Sequence, residues 1–364
     1  MQIQGDKEAL VEVGQSVLRL VSPRATLPVL GGVRITAEKE KVQFAATDLE
    51  VFVTVDSEFA VGEPGSIVVP GRLFGEILRS LPSGKVSIEG SEGEIRIAAG
   101  RTEFSVTGYP VADFPQPPTV EETKVGRVAG AELSRALRQV VRAASVDEAR
   151  PVLTGVLWSF EEETLRLVAT DSYRLAVREL QVKEGPGEGS AIIPGRALAE
   201  FGRHLSGDEE AEVWLGESQA AFSTKKVRLV TRLIEGEFPN WRHLIPEAYP
   251  SSLTINREAF LSSVERVGLV ARANTPVKFH LGEEVQLTAT EAGVADAVEV
   301  VEGAEYSGEP MIIAFNPKFF TDGLDGLDSE KAVLKVIDPS KPAILQGFEQ
   351  PEFTYLLMPV RLMG

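Results

Sequence analysis

Two aspartates stand at matched places in the chain, each closing an Ala-Thr-Asp triplet: Ala46-Thr47-Asp48 and Ala169-Thr170-Asp171. A pair of carboxylates is what general acid–base chemistry needs, so an enzyme is the first possibility to weigh. Their repetition argues against it. Thr-Asp recurring at equivalent points of a repeat is more economically a turn whose side chains bond the local backbone. Tyr173 and Arg174, directly after the second triplet, suit recognition better than catalysis. The rest of the catalytic vocabulary is thin: no cysteine, three histidines in 364 residues and no Gly-rich phosphate loop. We expect no catalytic residue, no metal and no cofactor.

The elements that would position these residues are repeated. Pro-Val-Leu-x-Gly-Val leads to Ala-Thr-Asp over the same 20 positions in two places, Pro28 to Asp48 and Pro151 to Asp171. A weaker third copy starts at Pro276 and reaches Ala289-Thr290-Glu291 after 15 positions. Val68-Val69-Pro70-Gly71-Arg72 returns as Ile192-Ile193-Pro194-Gly195-Arg196, and Phe114-Pro115 as Phe238-Pro239, both 124 positions on. A repeat of this length dictates architecture. We therefore expect three domains, at 1–121, 126–247 and 251–364, with Pro-rich linkers at 114–118 and 239–250.

Each copy opens with an amphipathic pattern, predicting helices over Lys7 to Val21, Ala131 to Ala144 and Arg257 to Val270, with Asp6 and Asn256 as N-caps. Strand-like runs follow, and a second helix is expected after each Pro-Gly-Arg, at Arg72 to Ser80 and Arg196 to Leu205, with a counterpart from Asn316 to Gly326. The plan is α+β, helices on one face of antiparallel sheet. Counted in chain order over 7–22, 71–80, 130–145, 196–206, 256–272 and 316–326, the six helical segments carry net charges of 0, +1, +2, +1, +1 and −1, against −17 for the whole chain. Composition alone predicts a protein that does not stick to polyanions. Segregated charge changes that, because Arg contacts phosphate without reading bases. A weakly basic helical face inside an acidic shell would permit sliding but not tight groove binding. No apolar run approaches the roughly 18 residues of a membrane span, and the start has no basic and apolar leader, so a cytoplasmic, nucleoid-associated protein is expected.

Five segments carry a resemblance: Arg24-Ala25-Thr26-Leu27-Pro28-Val29-Leu30, Ala46-Thr47-Asp48-Leu49-Glu50, Ala169-Thr170-Asp171-Ser172-Tyr173-Arg174-Leu175-Ala176, Phe238-Pro239-Asn240-Trp241 and Met358-Pro359-Val360-Arg361-Leu362. In this order, with the threefold repeat, the chain resembles the bacterial DNA polymerase III β subunits, the β sliding clamps, along essentially its whole length. The resemblance implies three DNA-clamp domains, each with two helices inside and antiparallel sheets outside, joined head to tail in a homodimeric ring around duplex DNA. Binding would then be topological, which reconciles a net charge of −17 with work on DNA. It also implies a non-catalytic processivity factor. Its expected partners are a second copy of itself, duplex DNA without sequence preference, the replicative polymerase α subunit, the clamp loader, and other polymerases and repair proteins with clamp-binding motifs.

Carried over position by position, the resemblance places a partner-peptide pocket at Leu153, Thr170, Ser172, Tyr173, Arg174, Leu175, Pro239, Leu244, Leu356, Met358, Pro359, Val360, Arg361 and Leu362. It places DNA contacts at Arg24 and Arg72, with Arg150 and Arg196 as companions, and dimer contacts at Phe104 and Leu269. Asp147, Pro151 and Val152 depart from the family pattern beside Arg150, and Met363-Gly364 extends beyond its usual final Arg-Leu. The rival to this reading is a repeat-built adaptor that binds peptides but never DNA. The two are told apart by whether the basic helices face a common channel.

Overall fold

A computed structural model describes residues 1–21, 27–91, 93–118, 124–183, 187–207, 209–271 and 275–362. Among them are six α-helices: α1 (Lys7–Leu18), α2 (Gly71–Ser80), α3 (Gly130–Val141), α4 (Gly195–Gly202), α5 (Arg257–Gly268) and α6 (Pro317–Asp325). All pairings in the four sheets are antiparallel. The plan is α+β, six helices with antiparallel sheets. The chain folds as two compact units, Met1–Ala131 with Arg203–Leu233, and Glu132–Gly202 with Ile234–Gly364.

In the first unit a five-stranded sheet runs in the order Ala60–Glu63, Gln2–Asp6, Lys85–Gly90, Glu94–Ala99, Thr102–Thr107. An eight-stranded sheet runs Lys124–Ala129, Glu210–Leu215, Gln219–Ser223, Val227–Arg232, Val51–Ser57, Lys41–Thr47, Gly32–Glu38, Gly65–Pro70. Strands of the second sequence repeat thus continue the sheet of the first. Helix α1 buries Leu10, Gly14 and Val17, one face at helical spacing, and packs on Lys41–Thr47 and Val51–Ser57.

The second unit repeats the device. Its nine-stranded sheet runs Gly187–Pro194, Gly155–Glu162, Thr164–Thr170, Arg174–Gln181, Gln350–Leu357, Ala343–Gly347, Lys331–Val336, Ser251–Asn256, Glu305–Ser307. A four-stranded sheet runs Ala295–Val300, Gln286–Glu291, Val277–Leu281, Met311–Phe315. Between α5, α6 and this smaller sheet sit Phe260, Phe279, Phe315 and Phe320, with ring centroids 4.6 to 5.9 Å apart and several edge-to-face.

Local sequence accounts for the landmarks. Pro28 and Pro151 each begin a short 3-10 turn, and Gly32 and Gly155 open the strands that follow. A Cβ on Gly32 would lie 2.6 Å from Val68 Cγ1, and one on Gly155 2.4 Å from Ile192 Cγ2, so the close strand approach admits only glycine. Asn256 caps α5 as expected, its side chain accepting from the Ala259 amide at 3.0 Å. Asp6 occupies the cap position of α1 but makes no cap bond; its carboxylate takes Lys85 Nζ at 3.1 Å instead. Helix α4 stops at Gly202, earlier than the predicted Leu205, at a residue of low helix propensity.

Candidate binding surface around the second Thr-Asp turn

The two Thr-Asp triplets build the same turn. In the first, Thr47 Oγ1 donates to Val51 O (2.8 Å) and accepts from Leu49 N (3.0 Å), while Asp48 Oδ1 accepts from Glu50 N and Val51 N (3.0 and 2.9 Å). In the second, Thr170 Oγ1 donates to Arg174 O (2.7 Å) and accepts from Ser172 N (3.1 Å), while Asp171 Oδ1 accepts from Tyr173 N and Arg174 N (2.9 and 3.0 Å). Leu49 and Ser172 both take left-handed backbone, at φ 79° and 78°. Short side-chain acceptors are what such a turn needs, so both aspartates are accounted for structurally.

The second turn carries a charged cage. Arg174 is 7% exposed and sits 4.4 Å over the Phe319 ring. Its Nε donates to Asp171 Oδ2 at 3.0 Å, and its Nη1 to Asp322 Oδ2 at 2.6 Å and to Tyr355 Oη at 3.1 Å. Tyr355 in turn donates to Phe319 O at 3.0 Å. Burial pushes the Tyr355 hydroxyl far above a phenol's ordinary pKa, although Arg174 pulls the other way. Arg174 therefore holds the turn to α6 and to the strand Gln350–Leu357.

The predicted pocket residues divide into a buried and an exposed set. Leu153, Thr170, Arg174, Leu175 and Leu356 are buried. Leu175 and Leu356 form one apolar cluster with Val168, Val177, Trp241 and Ile344, against which Leu157, Phe238, Ile245 and Tyr249 pack. Ser172, Tyr173, Pro239, Leu244, Met358, Val360, Arg361 and Leu362 are exposed, and Pro359 is half-buried. Tyr173 stacks on Phe319 with centroids 6.3 Å apart. The C-terminal segment is tied at two points, Met358 N to Tyr173 O (2.9 Å) and Val360 N to Ala314 O (2.8 Å). Tyr173, Leu244, Met358, Val360 and Leu362 are large apolar side chains that stay exposed, a composition suited to being covered by another apolar surface.

Sequence reasoning missed Phe319, Asp322 and Tyr355, which fix the turn. Asp322 reads in sequence as one more charge on a helix face. It also missed Tyr249, whose hydroxyl is buried with no hydrogen-bond partner among the described residues and whose pKa burial raises to about 12. The fold holds the neutral form, so this group makes stability independent of pH below the ordinary phenol pKa and lowers it as pH rises from there towards 12. Tyr249→Phe removes an unpaired polar atom and is expected to raise stability by about 1 kcal/mol, read as a higher urea midpoint at unchanged slope; a lower midpoint would contradict the burial account.

Of the basic residues, Arg24 lies outside the described residues. Arg72 on α2 is exposed and pairs with Glu76 at 3.0 Å. Arg196 is exposed on α4. Arg150 donates to Asp147 Oδ2 at 2.9 Å and to Ser172 Oγ at 3.1 Å, which places it against the second turn; the hydrogen bond from Arg150 holds the Asp147 carboxyl below the usual range. Phe104 is half-buried on Thr102–Thr107, an edge strand of the first unit, and Leu269 is 83% exposed just after α5 in the second. Met363 and Gly364 lie outside the described residues. Among the described residues no group of three acidic or histidine side chains could hold a metal, and no helix is long and apolar enough to cross a membrane.

Three family models match in succession: the DNA polymerase III beta subunit N-terminal domain over residues 1–118, its central domain over 127–240 and its C-terminal domain over 242–361. The chain is 34% identical over 357 residues to the beta sliding clamp of Staphylococcus aureus, covering 94% of this chain and 95% of that one. The DNA polymerase sliding clamp of Bacillus subtilis superposes with a TM-score of 0.91 at 30% identity, over all of both chains. The sliding clamp of Bartonella birtlesii, solved bound to griselimycin, gives 0.93 at 30% identity, again over all of both chains.

Proposed function

The chain belongs to the DNA polymerase III β-subunit family, the β sliding clamps, and from that membership we propose that two copies close head to tail into a ring through which duplex DNA passes. Its function is that of a processivity factor for the replicative polymerase. What carries the reading is the repeat itself: one plan recurs through the whole chain, and the three copies align in order with the family's three domains. We set those domains at 1–121, 126–247 and 251–364. The protein has no catalytic activity, metal or cofactor of its own and works in the cytoplasm on the nucleoid.

Arg24, Arg72, Arg150 and Arg196 face the DNA phosphates. Their contacts are few, so affinity is low, falls with salt and carries no sequence preference. Phe104 and Leu269 lie at the junction between copies. The surface around Tyr173 receives short peptide motifs of the polymerase α subunit, the clamp loader and repair factors. Its apolar floor takes their bulky side chains, while Arg361 and exposed backbone groups meet their polar ones. A protein-only adaptor would share this surface but is not favoured, since the relatives matched over nearly the full length are sliding clamps.

Mass photometry is expected to show twice the chain mass. Arg24→Ala with Arg72→Ala is expected to shorten retention on circular DNA several-fold at moderate salt without lowering the melting temperature. Unchanged retention would remove these residues from the DNA contact.

A further inference from the structure

The first unit contains a second groove built to the plan of the surface around Tyr173. Thr47, Leu49, Phe52, Pro115, Gln116 and Arg232 help line a hollow of about 240 Å³. Its turn has the same bonds and the same left-handed residue as the second Thr-Asp turn. Val51 and Phe52 pair with Thr231 and Val230, as Arg174 and Leu175 pair with Leu357 and Leu356. The floors correspond as well: Ala45, Phe52, Phe114, Ala221 and Val230 stand where Val168, Leu175, Phe238, Ile344 and Leu356 stand in the other cluster.

The two grooves differ in charge, and the difference indicates what the first would bind. Val51 stands where the second turn has Arg174, so the buried ionic cage is missing. Positive charge comes from two other residues. Arg232 is exposed on the lining, which also carries one exposed acid, Glu50, and among the described residues no ion pair joins the two. Arg34 lies behind Gln116, 9% exposed, its guanidinium 5.0 Å over Phe114 and its Nη1 3.5 Å from Gln116 Oε1, again with no carboxylate beside it among the described residues. Arg34 does not line the hollow, so it adds positive potential behind the groove while Arg232 supplies the contact. Leu49 adds a second signal: a bulky residue at φ 79°, half-exposed, where Ser172 stands in the other turn. Leucine is strained in left-handed backbone, so its presence at the mouth of an apolar hollow suits contact with a ligand better than turn formation.

We propose that this groove is a second peptide-binding site, taking a short extended segment with a bulky apolar side chain next to an acidic one. The apolar side chain rests on Leu49, Phe52 and Val230, and the carboxylate meets Arg232. The inference rests on the reading of the Tyr173 surface as a peptide site, but its charge complementarity comes from the groove's own residues.

The test titrates the full-length protein by calorimetry with an octapeptide carrying a central Leu-Phe flanked by aspartates. Two peptides per chain are expected. Leu49→Asn with Arg232→Glu is expected to weaken one site at least tenfold and leave the other, and Tyr173→Ala with Met358→Ala to do the converse. Asparagine accepts left-handed backbone, so the melting temperature should hold or rise in the first variant. If it falls, Arg232→Glu alone, on the exposed rim, supplies the reading. Replacing the aspartates of the probe by asparagine should cost the first-unit site at least tenfold. Unchanged stoichiometry and affinity in the Leu49 and Arg232 variants would overturn the proposal. Binding that survives loss of Tyr173 and Met358 but not of Leu49 and Arg232 would sustain it while refuting the Tyr173 reading.

Discussion

Arg174→Ala is expected to destabilise the second unit by about 3–5 kcal/mol, the cost of breaking a buried ion pair from one side. The substitution leaves Asp171 and Asp322, whose side chains are 13% and 19% exposed, without their shared cation. It also removes one of the hydrogen bonds at Tyr355, in a strand that Arg174 itself joins. Urea unfolding followed by Trp fluorescence would read the loss, and a double-mutant cycle with Asp322→Ala would isolate the pair's coupling. A loss under about 1 kcal/mol would mean that the cage is not what fixes the turn. Because Tyr173 sits on that turn and stacks on Phe319, the variant should also weaken peptide binding at temperatures where it remains folded.

Deleting Met358 to Gly364 is expected to abolish binding of the polymerase's motif peptide, at least a hundredfold by fluorescence anisotropy, with the dimer mass unchanged. The deletion takes away the exposed Met358, Val360 and Leu362 with the backbone bonds to Tyr173 and Ala314. It ends after Leu357, so the register of Gln350–Leu357 with Arg174–Gln181 stays complete. Stability should fall little for that reason. Normal peptide binding by the shortened chain would refute the assignment of this surface.

The landmarks legible in the sequence were those with a local cause. Gly32 and Gly155 are demanded by strand contacts under 3 Å, Thr47-Asp48 and Thr170-Asp171 by a turn that needs their side chains, and Asn256 by the first turn of α5. Each leaves a mark on the chain wherever the structure recurs. Three of the six helices followed from apolar periodicity and three from their place after a repeated landmark, with errors only at their ends. The sharing of sheets was not legible: Val227–Arg232 joins Val51–Ser57, and Arg174–Gln181 joins Gln350–Leu357, pairings between repeats that no local pattern encodes. The ionic cage was hidden for the same reason, since Asp322 and Tyr355 lie 148 and 181 positions from Arg174. Asp6 shows the limit of local rules even at a helix start, because Lys85 competes for its carboxylate. Resemblance supplied the binding residues as a set. The structure then sorted them into buried and exposed residues, a division that composition does not carry.

The central claim is that DNA is held by enclosure rather than by surface affinity. It is tested most directly by loading the protein onto nicked circular duplex with a clamp loader and ATP, then cutting the circle and measuring what remains bound. Retention on the circle with loss from the linear form is the predicted result. Equal retention on both forms would contradict enclosure and mean direct surface binding.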